Sequence, residues 1–154
     1  MENIFLYTDG ASRGNPGPGG YGCILMSGNY VKELSKGYRY TTNNRMELLA
    51  VIAGLEAIKK NELPVTVFSD SQYVVNTVEK GWLKNWIKTG FKGKKNKDLW
   101  SHYNVLSQKF IIKFVWVKGH STNPYNNRCD ELATAAADGK DLVIDEGYEK
   151  GLGG

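Results

Sequence analysis

The stretch from about residue 43 to residue 60 is apolar on nearly every side, through Leu48, Leu49, Val51, Ile52, Leu55 and Ile58. A helix with no polar face has to be covered on more than one side, for instance between a sheet and another helix. Thr42, Asn43 and Asn44 stand where such a helix opens, because short polar side chains accept hydrogen bonds from the free amides of a first turn. A chain of 154 residues has room for one such core in one compact domain.

The rest of the chain supplies the sheet that this helix needs. Residues 3–8, 21–26 and 30–40 read as strands, the last two joined by a turn at Ser27, Gly28 and Asn29. Pro64 precedes a fourth strand over 65–69, and 111–117 reads as a fifth. Shorter helices fall at about 71–78 and 98–109, and a last one at about 126–137 with Gly139 as its stop. Residues 9–20 are so rich in glycine that they read as a loop. The expected fold is therefore α/β, a five-stranded mixed sheet with helices on both faces. Its first three strands are antiparallel; the fourth and fifth, reached through helices, run parallel to the first. Residues 1–139 form this domain, and 140–154, polar and glycine-rich, are expected to fray.

Several functional classes are excluded at once. No apolar run approaches the roughly 20 residues of a bilayer span, and the N-terminus lacks the basic and apolar stretches of a signal peptide. The expected location is the cytoplasm. Cys23 and Cys129 have no neighbour at metal-ligand spacing and read as buried, reduced thiols. Nothing demands an oligomer. The net charge of +4 only hints at a polyanionic partner.

Four acids carry the chemistry. In an open α/β sheet, sites form beyond the carboxyl ends of parallel strands. Asp9 follows the first strand and Asp70 the fourth, while Glu47 and Asp130 sit in the first turns of two helices. Each acid also has a bland explanation: Asp9-Gly10 is a common turn pair, Asn44-x-x-Glu47 resembles a capping box, Asp70 can cap the helix after it, and Asp130 suits a helix dipole. Crowded together, however, they would repel and take up protons unless a cation neutralised them. Hard oxygen donors select Mg²⁺ or Mn²⁺, and such clusters hold the paired ions of phosphodiesterases. A lone loop histidine, His120, is ordinarily a surface residue; beside such a cluster it can shuttle a proton.

Residues 80–97 interleave lysines with rings, with Trp82, Lys84, Trp86 and Lys88 inside about two helical turns. Adjoining strips of charge and aromatic surface suit a nucleic-acid backbone. The glycine-rich segment has no P-loop pattern, and reads either as a hairpin connection or as backbone able to approach a minor groove. Asn15, Asn43, Asn44 and Gln72 add amides that hydrogen-bond bases, sugars and phosphates.

Six segments, in order, resemble type 1 ribonuclease H in its bacterial form. They are Tyr7-Thr8-Asp9-Gly10, the run from Gly14 to Gly22, Thr41-Thr42-Asn43-Asn44-Arg45-Met46-Glu47-Leu48, Asp70-Ser71-Gln72-Tyr73-Val74, Trp116-Val117-Lys118-Gly119-His120, and Arg128-Cys129-Asp130-Glu131-Leu132-Ala133. The resemblance implies the ribonuclease H fold and hydrolysis of the RNA strand of an RNA–DNA hybrid, leaving 5′-phosphate and 3′-hydroxyl ends. It implies that Asp9, Glu47, Asp70 and Asp130 hold two Mg²⁺ ions, for which Mn²⁺ can substitute, and that His120 assists. It further implies that Glu47 contacts the 2′-hydroxyl beside the cut, that the basic stretch is the family's handle for the DNA strand, and that Thr42 and Asn96 belong to a pocket for a DNA phosphate. Tyr40 stands where the family often has that pocket's arginine, with Arg39 adjacent, and Phe91 where a handle tryptophan is common. Two alternatives remain at this level: a hybrid-binding module without catalysis, and a DNA-cutting nuclease of the same fold.

Overall fold

The structure, a computed structural model, describes residues 3–60, 62–119 and 123–151. Its five strands are β1 (Ile4–Ser12), β2 (Gly17–Ser27), β3 (Tyr30–Thr41), β4 (Pro64–Ser69) and β5 (Ile111–Trp116). They form one sheet in the order β3-β2-β1-β4-β5. β1 pairs antiparallel with β2 and parallel with β4, and β4 pairs parallel with β5. The helices are α1 (Asn43–Glu56), α2 (Gln72–Glu79), α3 (Trp82–Lys88), α4 (Lys97–Ser107), α5 (Pro124–Ala137) and a single turn, α6 (Glu146–Glu149). The α/β class, the mixed pairing and the helices on both faces all agree with the sequence reading.

The apolar helix α1 lies where its composition requires. One side packs on the sheet, with Leu48, Val51, Ile52 and Leu55 buried alongside Leu6, Val65 and Val67. Trp100 and Tyr103 of α4 belong to the same core. On the opposite face of the sheet α5 crosses β2, close enough that a Cβ on Gly22 would collide with the Cys129 carbonyl and Leu132. Cys23 and Cys129 are both buried and free.

This approach explains the first departure from the sequence reading. The glycine-rich stretch is largely strand, because β1 runs on to Ser12 and β2 starts at Gly17. Glycine weakens a strand by leaving nothing to pack, but it is favoured where another backbone must come close, and here a helix does.

The second departure is the C-terminal segment. Over its described residues, 140–151, it folds back on the domain: the backbone of Val143 pairs with the edge strand β3, its N–H donating to the Gly37 carbonyl at 3.0 Å and its carbonyl accepting from Arg39 N–H at 2.9 Å. Asp145 is only 4% exposed, and Arg39 clasps Glu149 with two hydrogen bonds of 2.9 and 2.8 Å. Polar composition suggested a free tail, whereas two of its acids, Asp145 and Glu149, are held by Arg45 and Arg39 of the domain.

Candidate active site

The sheet register brings the first two acids together. Tyr7 lies opposite Phe68 at the end of the parallel β1–β4 pairing, so Asp9, where β1 runs on beside β2, and Asp70, just past β4, are each two residues farther on and come side by side. Thr8 ties the strands at this end by donating its hydroxyl to the Phe68 carbonyl at 2.9 Å. The Trp116 indole, at the end of β5, donates to the Asp70 carbonyl at 3.2 Å. Glu47 arrives from the other layer. A Cβ on Gly10 would strike the backbone of Met46 and Glu47, so glycine at this position lets α1 settle against β1 and sets Glu47 close to Asp9.

Asp9, Glu47 and Asp70 each offer an oxygen, and these oxygens lie within 4.8 Å of one another. Asp130, on α5, borders the same small cavity of about 190 Å³, together with Asn43 and Asn127. Among the described residues, the buried side-chain atoms without a hydrogen-bond partner include Glu47 Oε1 and Asp70 Oδ1. Burial, then the charge of Asp70, and to a smaller degree that of Asp130, push the Asp9 carboxyl up to about 8. Burial and the charges of Asp9 and Asp70 hold Glu47 well above the usual carboxylate range. Buried carboxylate oxygens without donors, in a group that resists ionising, are what a divalent cation would satisfy. The donor set is all oxygen, which fits Mg²⁺ or Mn²⁺.

Asp9, Glu47 and Asp70 do not take the ordinary structural roles that their positions in the sequence allow. Asp9-Gly10 is part of a strand, not a turn. The cap of α1 is Thr42, whose hydroxyl accepts from Arg45 N–H at 3.3 Å, so Glu47 is released from any capping box. The cap of α2 is Ser71, accepting from Val74 N–H at 3.1 Å, which frees Asp70. His120 lies outside the described residues.

A second cavity, of about 350 Å³, opens at the N-terminus of α1 and is lined by Asn15, Thr42, Asn44, Arg45, Lys95 and Asn96, with Tyr148 and Gly151 from the C-terminal segment. Asn15 reaches across to accept from Asn43 N–H at 3.1 Å. Arg39 does not line this cavity, since its guanidinium is engaged by Glu149. Tyr40 packs at a tilt against Tyr148, with ring centroids 5.6 Å apart. Gln72, exposed at the start of α2, borders neither cavity.

In the basic stretch the rings divide. Trp82 is 39% exposed with the Lys80 ammonium 5.6 Å from its ring centroid. Trp86 instead turns inward, edge-on to Trp100 at 6.2 Å, and anchors α3 to the core together with Leu83 and Phe91. Lys84 and Lys88 are exposed one turn apart. The two tryptophans therefore do not form one outward strip.

Sequence reasoning did not single out Arg45 or Asn127, and it placed Lys95 only among the lysines of the basic stretch. An arginine inside an apolar helix was a usable signal, because a buried guanidinium requires carboxylate partners. Asn127, three residues before Asp130, shares its helix face.

The family described as RNase H matches residues 1–138. Ribonuclease H of Syntrophus aciditrophicus (strain SB) is 51% identical over 153 residues, covering 96% of this chain and 88% of its own length. Ribonuclease H of Desulforamulus reducens is 51% identical over 150 residues and covers 94% of each. Among solved structures, LC9-RNase H1, a type 1 RNase H with the type 2 active-site motif, superposes with a TM-score of 0.82 at 28% identity, over 97% of this chain and 80% of that one. LC11-RNase H1 in complex with RNA/DNA hybrid superposes with a TM-score of 0.64 at 27% identity, over 88% and 96%. Sequence and fold agree over nearly the whole chain, which therefore belongs to the type 1 ribonuclease H family.

Proposed function

We propose that this enzyme is an endonuclease that hydrolyses the RNA strand of an RNA–DNA hybrid, leaving 5′-phosphate and 3′-hydroxyl ends. The observation that carries the reading is the trio of carboxylate oxygens within 4.8 Å, two of whose side chains keep buried oxygens without a donor. Asp9, Glu47, Asp70 and Asp130 would hold two Mg²⁺ ions, with Mn²⁺ able to stand in. When bound, such a pair supplies an activated water and charge stabilisation at the leaving oxygen.

The remaining tasks fall to the chain's own residues. Glu47 and Asn43, at the acid cavity, meet the ribose 2′-hydroxyl that marks the RNA strand. His120 carries a proton to or from the reacting phosphate. Asn15, Asn44 and Gln72 contribute hydrogen bonds along the hybrid. Trp82, Lys84 and Lys88 hold the DNA backbone, and Trp86 supports them from beneath. Thr42, Lys95 and Asn96 seat a DNA phosphate in the second cavity. The hybrid bound by LC11-RNase H1 supports the choice of substrate.

Purified protein with end-labelled hybrid, duplex RNA and duplex DNA, each with Mg²⁺ or EDTA, tests the proposal. Cleavage of the hybrid's RNA strand alone, abolished by EDTA, is expected. Equal cutting of duplex DNA removes the substrate assignment, and cutting in EDTA removes the metal.

A further inference from the structure

We infer that the C-terminal segment is a working part of the phosphate seat. Through Asp145 it fixes Arg45, and through Arg45 it fixes the Asn96 amide that faces the second cavity. This rests on reading that cavity as the seat of a DNA phosphate.

Arg45 is 1% exposed, and five hydrogen bonds leave its guanidinium. Nε and Nη2 donate to Asp145 at 2.8 and 3.0 Å. Nη1 and Nη2 donate to the two Asp98 oxygens at 2.9 and 2.7 Å. The last, from Nη1, goes to Asn96 Oδ1 at 3.3 Å. A guanidinium has five N–H groups in a planar fork, so Asp145 and Asp98 use four and aim the fifth at Asn96.

That bond decides which way the Asn96 amide points. A flipped amide would set its N–H₂ against the guanidinium, donor against donor. In the orientation found, Nδ2 donates to the Tyr73 hydroxyl at 3.1 Å and retains a second N–H. Asn96 lines the cavity beside Lys95, Thr42 and Asn44. The amide is therefore presented as a donor, suited to an anion, with the Lys95 charge alongside.

The segment is built to hold this arrangement. Asp145 also accepts from the Thr41 hydroxyl at 2.7 Å and, as the cap of α6, from Tyr148 N–H at 3.2 Å. Gly147 lies so close over the Arg45–Asp98 pair that a Cβ there would collide with both. Tyr148 and Gly151 then line the cavity themselves. The cation of the network is thus neutralised by Asp98 and Asp145, and its function is to orient Asn96 while Lys95 keeps its charge for the ligand.

The test places single methylphosphonates, which remove one phosphate charge, at successive positions along the DNA strand of a hybrid. Steady-state cleavage is measured with the full chain and with Asp145→Asn. Wild type should show one position where KM rises about tenfold, the scale of one charge-assisted contact. Asp145→Asn should raise KM on unmodified hybrid by a comparable factor, keep kcat within about twofold, and shrink the methylphosphonate penalty to under about twofold. A penalty that stays tenfold in the variant overturns the inference while leaving the cavity reading intact. A wild type indifferent at every position overturns the cavity reading and this inference with it, without touching the acid cluster. If thermal unfolding shows Asp145→Asn to be poorly folded, Gly147→Ala displaces the same segment with no change of charge and is judged by the same two outcomes.

Discussion

The two ends of α1's first turns handle charge in opposite ways. Around Glu47 three carboxylates converge with buried oxygens unpartnered. Around Arg45, two residues earlier, a guanidinium is saturated by Asp98, Asp145 and Asn96. Burial alone would call both polar interior sites. The difference is satisfaction: a network whose donors and acceptors balance is finished structure, while an excess of acceptors with no donor awaits something from outside.

The comparison breaks most visibly on activity. Asp70→Asn should lower hybrid cleavage by about a thousandfold or more, because on the proposed function it removes a ligand from charges worth several kcal/mol in the transition state. Hybrid affinity by fluorescence anisotropy should change only a few-fold. Next in size is stability. Arg45→Met leaves Asp145 buried without its cation and should cost about 3–5 kcal/mol in urea unfolding.

Neutralising an acid in the other region should have the opposite sign. In EDTA, Asp9→Asn relieves repulsion and should raise stability by about 1–2 kcal/mol at pH 8 while activity is lost. The pH profile sharpens this point. Burial and the neighbouring charge of Asp70 push Asp9 up to about 8 in the fold, above its unfolded value, so between the two values the folded state binds more protons. Metal-free stability should therefore fall as pH rises from about 4 towards 8, and Asp9→Asn should flatten that fall in unfolding measured pH by pH. The smallest effect belongs to the exposed handle: Lys84→Ala should weaken hybrid binding a few-fold and reduce the slope of log affinity against log salt by about 1.

The sequence made the acid cluster legible for a physical reason. Strand ends, helix starts and side-chain chemistry are local properties: Asp70 directly follows β4 and Glu47 sits near the start of α1, while Asp9 was found although β1 runs three residues past it. The second region was not legible in this way. Arg45, Asp98 and Asp145 are separated by 53 and 47 residues along the chain and meet only after α1, α4 and the C-terminal segment have packed. Glycine misled twice. In β2 it marked the close approach of α5, and after residue 139 it accompanied a polar segment that folds back on the domain. Trp86 misled through its lysine neighbours, since the same spacing serves an inward ring as well as an outward one.

Direct binding of Mn²⁺, followed by loss of its free-ion paramagnetic resonance signal, bears most closely on the acid cluster as a metal site. Wild type should remove the signal saturably, whereas Asp9→Asn and Asp70→Asn should bind much more weakly yet remain folded by circular dichroism. Undiminished Mn²⁺ binding by both folded variants would contradict the assignment.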